Sequence, residues 1–234
     1  LDKSNTMFWA IVGGFVSFYL LFDRLIRVFK VKNYSSKHVL VTGCDRGFGR
    51  DLVIRLDKMG FPVFAACLTE DGRSALSEIC SGNVTTLILN VTNKESISEA
   101  LAVVKQILPT ETSLWAVVNN AGVLSRTGPS EMCFHEDYVF ACSVNLFGVI
   151  EVSRTFLPLL RRSQGRLVLI TSIAGRIACA SAPYCVSKYG LEAFGDVIRR
   201  EVSRFGVSVS MIEPGFFRTE IINEESVMSA IEEG

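Results

Sequence analysis

The chain has 234 residues, of which 49% are apolar and 21% are charged, and this composition excludes a disordered or low-complexity protein. Its 24 basic residues balance its 24 acidic residues, so the charge gives no indication of nucleic acid or another polyanionic partner. The 7 cysteines form no CxxC pair and there are only 2 histidines, so the sequence predicts reduced thiols and no metal site.

An uncharged apolar run, residues 7–22, stands near the start of the chain. As a helix it would extend about 24 Å, less than the hydrocarbon core of about 30 Å. Only Lys3 precedes the run, and five basic residues follow it: Arg24, Arg27, Lys30, Lys32 and Lys37. This asymmetry, with aromatic residues near both ends of the run, predicts that residues 1–36 form a membrane anchor and that the remainder of the chain is cytosolic. The alternatives are a buried core helix and a cleaved signal peptide, although the basic cluster is on the wrong side for the latter and no A-x-A site follows.

From residue 37 onward, apolar β-branched runs alternate with helical patterns and predict a single domain over residues 37–234. The predicted strands are His38–Thr42, Pro62–Cys67, Val84–Asn90, Trp115–Asn119, Arg166–Ser172 and Val207–Ile212. The predicted helices are Gly47–Lys58, Gly72–Cys80, Lys94–Leu108, Glu136–Arg162 and Ala182–Phe205. Gly60 is a helix stop and Asn93 a helix cap. Because the strands are apolar along their whole length, the sequence predicts an α/β fold with a doubly wound parallel sheet covered by helices on both faces.

A glycine-rich turn joins the first predicted strand to the first helix of this domain. Its spacing is G-x-x-x-G-x-G, formed by Gly43, Gly47 and Gly49. Glycines let the backbone turn sharply and bring amide groups against a pyrophosphate, which also meets the positive end of the helix. The turn therefore predicts a dinucleotide site, although its spacing differs from the common G-x-G-x-x-G.

Three further motifs follow in chain order: Asn119-Asn120-Ala121-Gly122, Ser172, and Tyr184-x-x-x-Lys188. With the glycine turn, they resemble the short-chain dehydrogenase/reductase family over residues 37–219. The segments TGCDRGFG, VNLFGVIEV, SKYGLEAF and MIEPGFF are similar to the membrane-associated retinol and hydroxysteroid dehydrogenases of that family. The resemblance implies a Rossmann-type fold, an NAD or NADP cofactor, and an oxidoreductase that acts on CH–OH groups.

The same motifs predict a catalytic set. The Tyr184 hydroxyl, with an ordinary pKa of about 10, must lose its proton near neutrality to act as a base. Lys188 lies one turn later on the same helix face, where its ammonium would favour the phenolate. Ser172, at the end of the fifth predicted strand, would hold the substrate oxygen. From the resemblance, Asn145 would keep a proton-relay water beside the lysine.

Cofactor contacts also carry over from the resemblance. They fall on the glycine turn, on three later strand ends and on the catalytic pair: Gly43, Gly47, Phe48, Gly49, Asn90, Val91, Asn119, Ala121, Gly122, Tyr184, Lys188, Pro214, Gly215 and Thr219. Asn90 stands where the family usually has an aspartate on the adenine amine, and its amide oxygen can still accept that bond. The second strand ends at Cys67 rather than at a carboxylate that would select NAD, and Arg46 is placed to meet a 2′-phosphate. Arg46 therefore favours NADP, whereas the family branch favours NAD.

The expected substrate is a lipophilic alcohol or ketone, with retinoids and hydroxysteroids as the typical classes of this branch. One alternative is a hydroxy-acid dehydrogenase of the 3-hydroxybutyrate type. An alternative of another class is a catalytically impaired binding or scaffold protein, because only residues 221–234 follow Thr219 where the branch usually adds a seventh strand and a substrate lid. The chain opens at Leu1 rather than Met, so we expect the natural N-terminus further upstream. The expected location is an intracellular membrane, the endoplasmic reticulum, with self-association left open.

Overall fold

The computed structural model of the chain describes residues 3–26, 31–109, 113–215 and 217. Thr219, one of the predicted cofactor contacts, lies outside these residues. The chain divides into two units, Leu1–Tyr34 and Ser35–Gly234. This division lies two residues before the boundary that the sequence predicts after residue 36.

The first unit contains one long helix, α1 (Lys3–Ile26), of 24 residues. The helix runs through Asp23 and Arg24, so it is longer than the uncharged run and extends about 36 Å at about 1.5 Å per residue. Residues Met7–Leu25 have the length and hydropathy of a membrane span. At about 1.5 Å per residue this span extends about 28 Å, close to the hydrocarbon core of about 30 Å. A second segment that meets the same criteria, His135–Ser163, is partly buried and contributes to the core of the other unit.

The second unit is a six-stranded parallel sheet in the order β3-β2-β1-β4-β5-β6. Its strands are β1 (His38–Thr42), β2 (Val63–Cys67), β3 (Val84–Ile88), β4 (Leu114–Asn119), β5 (Arg166–Ile170) and β6 (Ser208–Ile212). Its helices are α2 (Gly47–Lys58), α3 (Glu70–Ile79), α4 (Lys94–Ile107), α5 (His135–Cys142), α6 (Val149–Ser163) and α7 (Ala182–Ser203). The order confirms the predicted doubly wound sheet, because successive strands run outward in both directions from β1 and β4.

Burial explains why these runs became strands. Every residue of β2 is buried, as are four of the five residues of β1, so both faces of the central sheet are covered. Strands of this kind need apolar side chains in both directions, which the sequence supplies. The predicted caps are also confirmed, since the Asn93 side chain accepts from the Ser96 amide at 2.7 Å and Gly60 ends α2 with a φ of +84°.

Several boundaries differ from the prediction by a few residues, and two of these differences concern the segments that carry Asn145 and Ser172. The predicted helix 136–162 is interrupted by a π-helical segment, Ser143–Gly148. There Gly148 packs so closely on the loop after β3 that a Cβ would lie 2.9 Å from the Val91 carbonyl oxygen. The predicted end of β5 at Ser172 is wrong by two residues: Ser172 instead caps a 3-10 turn, Ile173–Gly175, through the Ala174 amide. Both differences follow from polar anchors and close packing rather than from hydrophobic periodicity.

Candidate active site

A cavity of about 1030 Å³ opens at the carboxyl ends of the strands. Its wall includes a residue from the loop after each of the six strands: Gly43, Leu68, Asn90, Asn120, Ser172 and Pro214. Ligands of open parallel sheets bind at this edge, where the connections from β1 and β4 leave in opposite directions. The predicted motifs, separated by more than a hundred residues in the chain, are thus brought to one cavity.

The glycine turn is shaped by two separate requirements. Gly43 has a φ of +69°, and a Cβ on it would lie 2.7 Å from the Ala121 Cα. Gly47 has a φ of +59°, borders the cavity, and has no neighbouring atom where a Cβ would stand. A Cβ on Gly49 would overlap the Gly43 carbonyl oxygen. Helix α2 begins at Gly47, so its positive end and first amides face the cavity and fit a pyrophosphate.

Asn120, rather than Asn119, belongs to the cavity. Asn119 is 1% exposed, does not line the cavity, and its Nδ2 donates to Ser153 Oγ at 3.0 Å. The Nδ2 of Asn120 donates to the carbonyl oxygens of Thr42 at 2.9 Å and of Gly43 at 3.0 Å, and so ties β4 to the glycine turn. Asn119, predicted to contact the adenosine, thus has a structural role. As the last residue of β4 it points toward α6, whereas Asn120, the first residue after the strand, points toward the glycine turn.

Asp45 is a second cavity residue that sequence reasoning missed. Its Oδ2 accepts from the Leu68 amide at 2.8 Å, and its Oδ1 accepts from the amide and hydroxyl of Thr69 at 2.9 and 2.8 Å. These bonds fix the loop after β2 beside Arg46, which lines the cavity. Cys67 is buried and does not line the cavity, whereas Leu68 and Thr69, the next two residues, do. The same burial raises the pKa of the Cys67 thiol to about 12.

The loop after β3 brings Asn90 to the cavity, where its side-chain oxygen already has two hydrogen-bond partners. The Asn90 Oδ1 accepts from the amide of Thr92 at 3.0 Å and from its hydroxyl at 2.8 Å. The oxygen predicted to accept the adenine amine is therefore engaged in an Asx turn, and the adenine would have to compete with both bonds. Val91 lines the cavity as predicted.

Ser172 and Tyr184 meet at the opposite end of the cavity. Ser172 Oγ accepts from the Ala174 amide at 3.1 Å and lies 3.5 Å from the Pro214 carbonyl oxygen, to which it can donate. Tyr184 is half-buried in the first turn of α7, and both side chains line the cavity. Burial raises the pKa of Tyr184, while its hydrogen bond with Ser172 lowers it. The net direction is opposite to the one that Lys188 alone would produce.

Lys188 is 4% exposed, and its Nζ donates to the Ile170 carbonyl oxygen at 2.9 Å. The same nitrogen lies 5.7 Å from the centroid of the Tyr184 ring. Burial lowers the pKa of Lys188 to about 8, and the carboxylate of Glu192 opposes this fall. Tyr184 and Lys188, the predicted catalytic pair, are therefore adjacent. The protonation of Lys188 is set by two opposing effects, its burial and the carboxylate of Glu192.

Asn145 is fully buried in the π-helical segment. Its Oδ1 accepts from the Val123 amide at 2.8 Å, and its Nδ2 donates to the Val123 carbonyl at 2.8 Å and to Ser187 Oγ at 3.0 Å. Both amide hydrogens are used, so the predicted relay water would have to be held by an acceptor atom of Asn145. A Cβ on Gly122 would stand 3.2 Å from Asn145 Oδ1 and 3.7 Å from Lys188 Nζ, and glycine keeps this passage open.

The loop after β6 closes the cavity from the side of Ser172. Pro214 and Gly215 line it as predicted, and the Pro214 carbonyl accepts from the Ile173 amide at 3.0 Å. Phe217, which the sequence motifs did not single out, lies edge-to-face on Phe48 with centroids 5.5 Å apart. These two rings give the cavity an apolar rim.

Comparison with known proteins supplies the class to which this fold and site belong. The sequence model described as short chain dehydrogenase matches residues 37–229, so the chain belongs to that family. A solved structure of levodione reductase has the same fold, with a TM-score of 0.78 at 21% identity over 86% of this chain and 79% of that chain.

Two curated relatives narrow the branch. Human retinol dehydrogenase 16 is 42% identical over 222 residues, 95% of this chain and 70% of that protein. Human 17-beta-hydroxysteroid dehydrogenase type 6 is 44% identical over 215 residues, 92% of this chain and 68% of that protein. The chain thus spans about two thirds of the length of these relatives. Their names confirm the predicted resemblance to the retinol and hydroxysteroid branch, and with it the expectation of an oxidoreductase for CH–OH groups.

Proposed function

We propose that the chain is an NAD(P)-dependent oxidoreductase that moves a hydride between a nicotinamide and a lipophilic alcohol or carbonyl compound. The observation that carries the proposal is the convergence of Ser172, Tyr184 and Lys188 on the same cavity as the glycine turn. The two curated relatives support a retinoid or a hydroxysteroid as the substrate class.

The residues at the β1 end of the cavity fit a dinucleotide. The absence of a side chain at Gly43 lets the turn pack against Ala121, and its absence at Gly49 lets α2 pack against the Gly43 carbonyl. Gly47 leaves open space in front of the first amides of α2. When bound, the nicotinamide would supply the hydride chemistry, and the protein supplies binding and orientation. The Asp45 and Asn120 bonds hold these loops in place from the protein side.

The proton of the alcohol would pass to the phenolate of Tyr184. Ser172 lies beside the tyrosine and can hold the oxygen of the alcohol while the proton moves. A charged Lys188 favours the phenolate and offsets the burial that raises the pKa of Tyr184. In this arrangement oxidation depends on a charged Lys188, so the rate should fall as the pH rises through the pKa of Lys188, about 8.

The lining beyond the catalytic residues suits an apolar substrate. It includes Val123, Val139, Phe140, Val144 and Phe217. Phe140 and Phe217 are exposed apolar side chains, so a long hydrocarbon ligand would remove their surface from water. A small hydroxy acid has no comparable apolar surface to offer these side chains.

We place α1 in a membrane, that of the endoplasmic reticulum, with the second unit on the cytosolic side. The support is a 19-residue apolar span, Met7–Leu25, and basic residues on its C-terminal side. Membrane location suits a lipophilic substrate, which partitions into the bilayer.

The test is a panel of substrates with the purified full chain. We expect oxidation of retinol or a hydroxysteroid with NAD or NADP, and none of 3-hydroxybutyrate.

In Tyr184→Phe, kcat should fall by about 10²–10⁴-fold because the ionisable oxygen is lost. Dinucleotide binding should persist in this variant. A variant that kept more than about a tenth of wild-type kcat would refute the assigned base.

A further inference from the structure

A buried carboxylate lies one turn beyond the catalytic lysine. Glu192 follows Lys188 by four residues on α7 and is 4% exposed. Among the described residues, neither of its carboxylate oxygens accepts a hydrogen bond of good geometry. Gly175 packs directly on this part of α7: a Cβ there would lie 3.0 Å from Glu192 Cγ and 3.2 Å from the Lys188 carbonyl carbon. The turn that carries Ser172 thus seals Glu192 from solvent.

An arginine holds this carboxylate in place. Arg176 NH2 lies 2.7 Å from Glu192 Oε2 and 3.1 Å from Glu213 Oε1, and Arg176 Nε donates to the same Glu213 oxygen at 3.1 Å. Arg176 follows the turn of Ser172, Glu192 is on the helix of Tyr184, and Glu213 directly precedes Pro214. The ion pairs therefore join the three segments that form the catalytic end of the cavity.

We propose that Glu192, held by Arg176, is a positioning residue of the active site whose negative charge keeps Lys188 protonated beside Tyr184. The proposal rests on the function proposed above, in which a charged Lys188 serves Tyr184. Glu192 touches neither the substrate nor the cofactor in this arrangement, because Gly175 and the backbone of α7 separate it from the cavity.

The need for such a charge follows from the burial of Lys188. A buried ammonium with one carbonyl partner loses its hydration without gaining an opposite charge. The charge that acts on Lys188 is that of Glu192, one turn later on the same helix. Among the described residues, the other titratable groups around this pair are Tyr184 with the thiols of Cys179 and Cys185 beside it, and Arg176 with its neighbours Glu213 and Asp196. Asn145 faces it from the π-helical segment as a neutral amide. Glu192 is the group that favours the charged lysine, and Arg176 moderates it.

The test compares Glu192→Gln with Glu201→Gln, which removes an exposed carboxylate from the same helix. The titration of Lys188 is followed in the full chain by competitive labelling with acetic anhydride and mass spectrometry across neutral and alkaline pH. The pKa of Lys188 should fall by about 1 pH unit in Glu192→Gln, because an opposite charge nearby is lost. It should stay unchanged in Glu201→Gln. Glu192→Met, which buries no amide, is the second variant, and the shift must appear in whichever variant keeps the wild-type circular dichroism.

An unchanged Lys188 titration in a folded Glu192 variant would overturn the proposal, as would an equal shift in Glu201→Gln. Labelling needs no turnover, so it decides the matter even if the chain oxidises no alcohol and the proposed function fails. Where oxidation is measured, the alkaline limb of the kcat/KM profile should move down by the same interval in Glu192→Gln. A purely structural role would instead lower the rate equally at every pH.

Discussion

The glycine turn offers a test of the cofactor site in which stability and binding separate. Gly47 and Gly60 both have left-handed backbones, with φ of +59° and +84°, and at both positions the space that a Cβ would occupy has no atom within 4 Å. Gly47 borders the cavity, whereas Gly60, after α2, does not. Alanine at either position therefore adds the same backbone strain, and only Gly47→Ala places a methyl group in front of the α2 amides.

The magnitudes follow from this geometry. A non-glycine residue in the left-handed region costs about 1–2 kcal/mol, so Gly47→Ala and Gly60→Ala should lower the free energy of unfolding by similar amounts. Gly43→Ala should cost more, because its Cβ would lie 2.7 Å from the Ala121 Cα and overpacking adds about 1–3 kcal/mol. Only Gly47→Ala should combine a small stability loss with a large loss of dinucleotide affinity.

Urea unfolding and titration calorimetry with NAD and NADP measure the two quantities separately. We expect Gly60→Ala to bind either dinucleotide as the wild type does, and Gly47→Ala to bind at least about tenfold more weakly, which corresponds to about 1.4 kcal/mol. Equal affinities in these two variants would show that the pyrophosphate does not lie at the start of α2.

Three further outcomes are expected. Arg46→Ser should lower kcat/KM for NADP more than for NAD, by about 1–3 kcal/mol if a charge-assisted bond is lost, and equal losses would leave Arg46 without a part in discrimination. Because burial lowers the pKa of Lys188 from 10.5 to about 8, the unfolded chain holds this proton where the folded chain has lost it, so this group makes stability rise with pH across that interval. The rise, about 3 kcal/mol in all, should be absent in Lys188→Met when denaturant unfolding is measured at several pH values. Deleting residues 1–30 should release the chain from membranes with its fold intact; recovery of the full chain in the supernatant after alkaline carbonate extraction would contradict an integral anchor.

Hydrophobic pattern was sufficient to predict all six strands of the sheet and their helical connections. It failed where side-chain hydrogen bonds or close contacts decide the backbone. The π-helical segment, whose Asn145 is anchored to Val123 and Ser187, lies inside a run whose apolar spacing is that of an ordinary helix. Likewise, Ser172 follows apolar strand residues but is drawn out of the strand direction by the turn that it caps.

Prediction of the site was uneven for a related reason. Residues required by backbone geometry or by the reacting groups, such as Gly43 and Tyr184, recur at fixed spacings and can be found from the sequence. Glu192 and Asp45 act on loops or charges that the fold brings to them from distant parts of the chain. A helix-face spacing does relate Glu192 to Lys188, but nothing in the sequence shows that both are buried.

The bonds of Asp45 and Asn120 determine how much ordering a dinucleotide would have to cause. Together these bonds join the glycine turn to the loop after β2 and to the end of β4. Each bond is between two groups of the protein, so none of them requires a ligand. The backbone of the turn is therefore shaped before any ligand arrives. Because ordering a flexible loop on binding costs free energy, this arrangement lets more of the contact energy appear as affinity. The catalytic end differs, since the charge of Lys188 depends on Glu192 and on pH, and there the state of the site is set by electrostatics.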